Sequence, residues 1–473
     1  MSRETLNSLD ILMEYLPLIL NPLEHTRSQN IHNTTTTTKC ICLLLATILG
    51  ASILTAGIFS PVPSFAKETV TLKAVLVEPK DRWEKALIPM ALQNLTTKYP
   101  ELDIQVNYTI LQYNDAREEM LKAMGNHSSI DLISVDQIWL GEFADKGYLT
   151  DLGNYSKTWG RLDDWYESNL DGAVYNDKIY GIWAWTDVRS IWYWKDLLNK
   201  SAIDPNSLKL WDSYIGSAKK LNEALKNQGV QGIQITAGPG SQNEWYPFLW
   251  MLGGSIIQSR PGHPTKDVYW FPNYNSTEGV KALEFYRQLV NAGVRPNTID
   301  FEKEFANKKY AIMLGGSWLP GSFPSLTKQV FEQQIGMIPM FPVPNENTTT
   351  STIMGGWLLS IPDNSKNKDL TWELITTMLE PHILSSMLAE YGYLPTQIPI
   401  GEGSYSEELR KSIPYYDQLI SLIEFGRARP NIAEYPQIAD HIREAIDDVY
   451  SDTKEPKQAL DDAAAKSAEV LGW

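Results

Sequence analysis

Residues 180–197, YGIWAWTDVRSIWYWKDL, contain four tryptophans, with Asp187 and Arg189 among them. Tryptophan is largely buried on average, so a strand with one face in the core explains the rings. A cleft that binds a sugar needs the same residue types, because flat rings cover the face of a pyranose and charged groups hydrogen-bond its hydroxyls. The stretch alone favours the core, and the sugar cleft stays open as the second interpretation.

Other carboxylates raise the question of catalysis. Asp136, Asp187 and Glu244 could supply the carboxylate pair of a secreted glycoside hydrolase, whose two groups lie about 5 to 10 Å apart. None of the three lies in a recognisable acid/base sequence context. The sequence also has no Ser-His-Asp order, no phosphate-binding glycine loop and no nicotinamide fingerprint. We therefore predict a binding protein and no enzyme, with the hydrolase as the alternative.

Composition excludes several other functions. A net charge of -16 and a pI near 4.9 argue against nucleic acid as a partner, because binding to phosphates requires a basic face. Cys40 and Cys42 are the only cysteines, and they precede or begin an apolar run. No two of the six histidines have the spacing of metal ligands. We expect neither a metal nor a cofactor.

The N-terminal part of the chain predicts export. Residues 1–39 form an N-terminal extension, and residues 40–59 carry no charge over a length that could cross a bilayer. The following PVPSFAKE places small residues before a plausible signal peptidase site after Ala66. Residues 40–66 are thus either a signal peptide or a membrane anchor. The folded part is expected outside the cell, secreted or tethered by residues 40–59.

From residue 68 onward, strand-like segments alternate with amphipathic helical segments, which predicts an α/β fold. The β-α-β-α-β order implies a parallel sheet, and such sheets bind ligands beyond the carboxyl ends of their strands. Glu78, the segment from Gln112 to Arg117, and Asp136 lie just past those ends. The first strands are predicted at 69–78, 102–111 and 130–136, and the helices between them at 82–100 and 115–127.

Six motifs follow each other in an order that resembles a known family. The sequence resembles the extracellular solute-binding proteins of ABC importers (family 1), most closely those for maltose, trehalose and related oligosaccharides. The likeness runs from residue 70 to residue 465, and its motifs are IDLISVDQIWLGEFADKGYLTDL, YGIWAWTDVRSIWYWKDLL, LWDSYIGSAKKLNEAL, FANKKYAIMLGGSWLPGSF, IGMIPMFP with IMGGWLLSI, and EYGYLPT.

The resemblance implies a periplasmic-binding-protein-like fold (type II), in which two discontinuous α/β lobes are joined by a hinge. Lobe I would comprise 67–183 plus 343–398, and lobe II 184–342 plus 399–473. An oligosaccharide would be held between lobes that close on it and be delivered to ABC permease subunits in the membrane. A monomer is expected. A peptide, polyamine or other polar solute in the same fold remains an alternative.

The resemblance also implies which residues contact the ligand. The position of Asp136 in VDQIW corresponds to a carboxylate that contacts sugar, and the preceding helix contributes a basic residue, here Arg117. The loop containing WTD supplies an aromatic ring and a carboxylate, here Trp185 and Asp187. Glu78 is a weaker candidate, because LVEPKD matches the family only loosely.

Further candidates come from the second half of the chain. Trp318 in GGSW and Trp357 in GGW match stacking aromatics, and Gly316 and Gly356 would allow close approach of the backbone. Trp245 is a weaker candidate, because SQNEWYPF matches loosely. Simpler interpretations also apply: Trp192 and Trp194 are expected in the core, Gly315 and Gly316 could merely end a strand, and Arg189 could form a surface ion pair.

Overall fold

The computed structural model describes residues 67–78, 82–261, 269–297, 301–323 and 326–473. The predicted extension 1–39 and the predicted signal peptide or anchor 40–66 lie outside the described residues. The strands are β1 (Glu68–Glu78), β2 (Leu102–Gln112), β3 (Leu132–Asp136), β4 (Val174–Tyr175), β5 (Lys178–Ile179), β6 (Ile182–Asp187), β7 (Arg189–Trp194), β8 (Gln231–Ile233), β9 (Ile257–Ser259), β10 (Trp270–Pro272), β11 (Tyr310–Gly316), β12 (Ile335–Ile338), β13 (Thr352–Ile353), β14 (Gly355–Ser360) and β15 (Gly426–Arg427).

Helices cover both sheets. The helix Tyr435–Tyr450, the second from the C-terminus, shows why they form: Ile438, Ile442 and Ile446 recur every four residues and are buried. The helices are α1 (Arg82–Lys98), α2 (Tyr113–Gly125), α3 (Gln137–Asp145), α4 (Gly153–Trp159), α5 (Glu167–Asp171), α6 (Lys195–Lys200), α7 (Trp211–Leu225), α8 (Ser241–Met251), α9 (Thr277–Asn291), α10 (Phe301–Ala306), α11 (Leu319–Ser322), α12 (Lys328–Gln334), α13 (Lys368–Met378), α14 (Pro381–Tyr391), α15 (Ile398–Gly401), α16 (Ser406–Ser412), α17 (Tyr416–Ile420), α18 (Tyr435–Tyr450) and α19 (Pro456–Val470).

The first sheet has the strand order β2-β1-β3-β14-β6. β1 pairs in parallel with β2 and with β3, so the parallel arrangement predicted for the first three strands is confirmed. β14 lies antiparallel between β3 and β6. Every residue of β3, β14 and the edge strand β6 is buried, as expected for a sheet that helices cover.

The second sheet has the order β12-β7-β11-β8, and β7 is antiparallel to both of its neighbours. Trp192 and Trp194 of β7 are buried, and their indole N–H groups donate to the carbonyl oxygens of Gly315 and Phe305 at 3.1 and 2.8 Å. The prediction that these two rings belong to the core is confirmed. Helices α18 and α19 pack on α8 and α9 beside this sheet.

The chain passes between the sheets at few points. β6 belongs to the first sheet and β7 to the second, and the buried Val188 alone separates them. The chain returns to the first sheet at β14, after β13 has paired in parallel with β15. None of the helices in the described part of the chain is both long and apolar enough to span a bilayer.

Candidate functional site

Three strands of the first sheet end at one edge, and the candidate site begins there. Glu78 pairs with Gln112, and both are the last residues of their strands. β3 runs parallel to β1 and ends at Asp136. The carboxyl ends of all three strands therefore meet at the edge where parallel α/β sheets bind their ligands.

Asp136 contacts groups from two other segments. Its Oδ2 accepts a hydrogen bond of 2.8 Å from the hydroxyl of Tyr113, and its Oδ1 lies 3.7 Å from Nη2 of Arg429. Tyr113 as a whole keeps 39% of its surface exposed, whereas its hydroxyl turns inward to Asp136. Burial of the hydroxyl, and then the charge of Asp136, raise the pKa of Tyr113 well above its ordinary value. The phenol is therefore a permanent hydrogen-bond donor.

β14 lies between β3, which ends in Asp136, and β6, which ends in Asp187. Trp357 lies opposite Asp136 in β3 and opposite Trp185 in β6, so three site candidates form one row across the sheet. Two residues earlier, Gly355 lies opposite Asp187. Gly356 has a φ of +143°, and a side-chain carbon there would lie 2.3 Å from the carbonyl oxygen of Trp185. Only glycine fits this close approach of two backbones.

Arg429 lies near both carboxylates. A side-chain carbon on Gly355 would lie 2.8 Å from Oδ2 of Asp187 and 3.3 Å from Nη2 of Arg429, so the two charged groups converge on this glycine. The Arg429 side chain keeps only 7% of its surface exposed. Burial acts to lower the pKa of Arg429, but the charges of Asp136 and Asp187 outweigh it and the pKa is raised. The guanidinium is held charged between two acids.

Arg189 lies on the side of the second sheet. It begins β7 and pairs with Gly316 of β11. Its guanidinium carbon lies 5.5 Å from the centre of the Trp318 ring, whose indole N–H donates to Glu302. A side-chain carbon on Gly316 would lie 2.0 Å from this ring, so the glycine makes room for the indole. Burial lowers the pKa of Arg189, and the charge of Asp187 opposes that shift.

We name Asp136, Asp187, Arg189 and Arg429 the carboxylate–arginine cluster. Two of its members end strands of the first sheet, Arg189 begins a strand of the second, and Arg429 follows β15. In the described part of the chain, the buried Nε atoms of both arginines have no hydrogen-bond partner. Carboxylates accept and guanidinium groups donate hydrogen bonds, so the cluster can bind a ligand that offers both donors and acceptors.

Other predicted site residues lie in different surroundings. Arg117 forms an ion pair with Glu142, with an Nη2–Oε2 distance of 2.7 Å, and so links α2 to α3. The Trp185 ring stacks on Tyr393 at a centroid distance of 4.0 Å and is only 1% exposed. Trp245 is fully buried in α8. Of these three residues, Trp185 adjoins the cluster, whereas no hydrogen bond, ion pair or ring contact joins Arg117 or Trp245 to it in the described part.

Glu244 does not have the surroundings of a catalytic acid. It is 1% exposed, and its carboxylate accepts hydrogen bonds from the amide and the hydroxyl of Thr236 at 2.9 and 2.5 Å. Burial raises the pKa of Glu244, against the effect of these hydrogen bonds. A general acid must reach its substrate, and this carboxyl group is enclosed. Among the described residues, no three His, Cys, Asp or Glu side chains are grouped to hold a metal ion.

The sequence interpretation missed three parts of the site. Arg429 has no strong signal, since an arginine before a proline in GRARPN is ordinary for a loop. Tyr113 lies within the segment from Gln112 to Arg117 that was expected past a strand end, but Arg117 was chosen from it. For Arg189 a surface ion pair was considered, whereas its Nε is buried and has no hydrogen-bond partner in the described part. Burial and partners from distant segments, which decide these cases, cannot be deduced from local pattern.

The comparison with known proteins agrees with this architecture. The family model for bacterial extracellular solute-binding proteins matches residues 85–382, and the chain belongs to this family. The predicted resemblance is thereby confirmed, and membership places the folded part outside the cytoplasm. The family consists of binding proteins, which disfavours the hydrolase alternative.

Individual relatives are distant but cover most of the chain. An amino-acid ABC transporter periplasmic-binding protein of Sinorhizobium fredii is 25% identical over 379 residues, 77% of this chain and 82% of that protein. The arabinooligosaccharide-binding protein of Bacillus subtilis is 21% identical over 390 residues, 78% of this chain and 86% of that protein. The maltose-bound MalE3 of T. maritima has a TM-score of 0.70 at 20% identity over 85% of this chain and 99% of its own. The predicted two-lobed fold is confirmed.

Proposed function

We propose that this protein captures an oligosaccharide between its two lobes and delivers it to the permease subunits of an ABC importer. The carboxylate–arginine cluster is the observation that carries the proposal. Its members come from both sheets, and the aromatic rings of Trp318 and Trp357 lie beside it. A solute bound at this point contacts both halves of the molecule.

The chemistry of the cluster suits a sugar. A sugar hydroxyl donates one hydrogen bond and accepts others, so it can bind a carboxylate and a guanidinium together. Hydrogen bonds to charged groups contribute about 1.5 to 3 kcal/mol each, enough for specific binding with few contacts. Aromatic rings then cover the apolar face of the sugar. The arabinooligosaccharide and maltose bound by two of the relatives have these properties.

We further propose that the two lobes follow the predicted division, 67–183 plus 343–398 and 184–342 plus 399–473, except that the first boundary moves to Val188 as the hinge, because β6 belongs wholly to the first sheet. Val188 supports this because it alone separates the last strand of one sheet from the first strand of the other. Closure is driven by the additional contacts that the ligand makes in the closed state. Of the predicted site residues, Asp136, Asp187, Gly316, Trp318, Gly356 and Trp357 would act here directly.

Export and assembly form a separate part of the proposal. Residues 40–66 either are removed after Ala66 or keep the protein on the membrane, and the protein acts as a monomer. N-terminal sequencing of the protein from its native cells distinguishes the two fates of the leader. Sedimentation analysis measures the assembly state, and a stable dimer would contradict the proposed monomer.

A thermal-shift screen of the purified protein against mono-, di- and oligosaccharides tests the binding proposal. A sugar at 100 times its dissociation constant adds about 2.7 kcal/mol of stability. Chromatography of the sugar after incubation then shows whether it is unchanged. Turnover that the Asp187→Asn variant lacks would favour the hydrolase, and no shift with any sugar would overturn the ligand class.

A second candidate ligand is an amino acid or another solute with a carboxylate or phosphate group. Arg189 and Arg429 favour it, because guanidinium groups bind such anions through paired hydrogen bonds and their buried Nε atoms have no partner in the described part. The Sinorhizobium fredii relative carries an amino-acid transporter name. Including the amino acids and glycerophosphodiesters in the same screen decides between the two classes.

A further inference from the structure

A large groove lies on lobe I, away from the carboxylate–arginine cluster. It has a volume of about 1080 Å³ and is formed by α1, α4 and α13. Four aromatic residues line it: Tyr99, Tyr155, Trp159 and Trp372. Neither the predicted site residues nor the cluster contribute to it.

The groove lies at the opposite end of the first sheet from the cluster. Leu102, the first residue of β2, lines the groove, and Gln112, the last residue, lies at the edge where β3 ends in Asp136. Ten residues of extended strand separate the two, which is about 33 Å at roughly 3.3 Å per residue. A ligand in the groove therefore occupies a separate site.

The tryptophans of the groove differ from those of the core. Trp372 lies 5.4 Å from the ring of Tyr155 and 5.7 Å from that of Trp159. The indole N–H groups of core tryptophans either donate to backbone carbonyls, as in Trp165, Trp192 and Trp194, or are buried without a partner, as in Trp183. Within the described part, the indole N–H groups of Trp159 and Trp372 make no hydrogen bond and are not among the buried unpaired groups. Two indole donors thus remain available at the wall of the groove.

The polar residues of the groove carry charges of both signs. The Tyr155 hydroxyl donates to Oδ1 of Asp369 at 2.7 Å, and Lys98 forms an ion pair with Glu373. A phosphate-bearing ligand would need an excess of positive charge, which is absent from this lining. A purely apolar ligand would leave the two indole donors without a hydrogen-bond acceptor. Flat rings combined with balanced donors and acceptors suit an uncharged polyhydroxylated ligand.

We propose that this groove is a second carbohydrate-binding site, which takes a neutral stretch of a glycan chain. Its location on lobe I makes it independent of the solute that lies between the lobes, and it does not depend on the proposed transport function. Binding at two sites of one molecule raises the local concentration of a polymer that reaches both. The protein would then hold glycan at its surface.

Affinity electrophoresis tests the proposal with soluble starch, arabinan, arabinoxylan and mixed-linkage β-glucan in native gels of the full-length protein. Thr158 and Thr97 offer a matched pair, because both are exposed and both donate to the carbonyl four residues earlier. Thr158 lines the groove and Thr97 does not. We expect at least one glycan to retard the protein, Thr158→Arg to weaken that binding at least fivefold, and Thr97→Arg to leave it unchanged.

Three outcomes would overturn the proposal: retardation by none of the four glycans, equal retardation of Thr158→Arg and the parent, or loss of retardation in Asp187→Asn alone. The last outcome would assign the glycan to the cleft. Unfolding curves of both threonine variants establish that they are folded. If Thr158→Arg is not, Trp159→Phe removes the indole donor but keeps an aromatic ring and should weaken retardation at least twofold, with equal retardation again overturning the proposal.

Discussion

Strands β6 and β7 follow each other in the chain, and each carries two tryptophans, yet their surroundings differ. β7 lies between two partners in the second sheet, and both of its indoles donate to backbone carbonyls. β6 is the last strand of the first sheet, and its Trp183 indole has no hydrogen-bond partner among the described residues. β6 also ends in Asp187 of the cluster. Similar residues thus pack in the core in β7 and adjoin the binding site in β6.

The largest expected effect is a loss of stability when a buried tryptophan of β7 is removed. Trp192→Ala should lower the free energy of unfolding by about 3 to 5 kcal/mol, because it removes a fully buried ring and leaves the Gly315 carbonyl without its donor. Sugar affinity of the folded fraction should stay unchanged. Urea unfolding measures the stability, with Trp192→Phe as the control that keeps an aromatic ring. An unchanged urea midpoint in the alanine variant would show that the Trp192 ring does not contribute to the stability of the core.

For Asp187, which lies at the binding site, we expect the opposite of the result for Trp192: sugar affinity should fall, and stability should change little. Asp187→Asn keeps the shape of the side chain but loses its charge, and sugar affinity should fall by about 1.5 to 3 kcal/mol. Titration calorimetry measures the loss, and Asp212→Asn at an exposed position of α7 is the matched control. Asp136→Asn should act similarly.

Small-angle scattering adds a second measurement at the same position. If Asp187 helps the ligand to hold the lobes together, Asp187→Ala reduces the compaction that a saturating sugar causes. An alanine variant that binds and compacts like the parent would assign all of residues 180–197 to packing. The core interpretation would then be correct for both strands.

Two aromatic residues of the site should separate binding from stability. Trp318 is half-buried beside Arg189, and Trp318→Ala should weaken sugar binding by roughly 1 to 3 kcal/mol with little loss of stability. Trp357 is 4% exposed and packs edge-on against Trp139 at 5.8 Å, so Trp357→Ala should lower both binding and stability. Calorimetry and urea unfolding on both variants test this difference. Equal destabilisation of the two would place Trp318 in the core.

The sequence predicted the fold well because its signals are local. Alternation and helical spacing located β1 to β3 with the helices between them, and their order implied the parallel sheet. The family motifs then extended the α/β prediction to the second half of the chain. The exact point where the chain changes sheets was harder to locate, because Trp185 and Trp192 occur in equally apolar strands.

The site was less predictable, because its chemistry depends on distant segments. Asp136 and Asp187 could be chosen because each follows an apolar strand, where an unpaired carboxylate has no place in a core. Arg429 reaches them from a C-terminal loop with no periodic pattern. The ring of Trp185 looked available in the sequence, but Tyr393 covers it through the pairing of Thr186 with Leu394. Such partners follow from tertiary structure alone.

The smallest expected effect concerns Glu244 and its dependence on pH. Burial raises the pKa of Glu244 in the folded state above its ordinary value of 4.5, so between these two pKa values the folded protein binds more protons than the unfolded chain. The contribution of Glu244 to stability is therefore complete below pH 4.5 and declines as the pH rises through the folded pKa, by at most about 1.4 kcal/mol per pH unit.

Glu244→Gln cannot ionise, so its stability should decline less steeply above pH 4.5. Urea unfolding from pH 4.5 to 7.5 measures both slopes, with the exposed Glu223→Gln as control. Identical slopes for Glu244→Gln and the parent would mean that Thr236 and Arg189 compensate the buried charge fully, and Glu244 would then be ionised beside Arg189 as a further charged neighbour of the site.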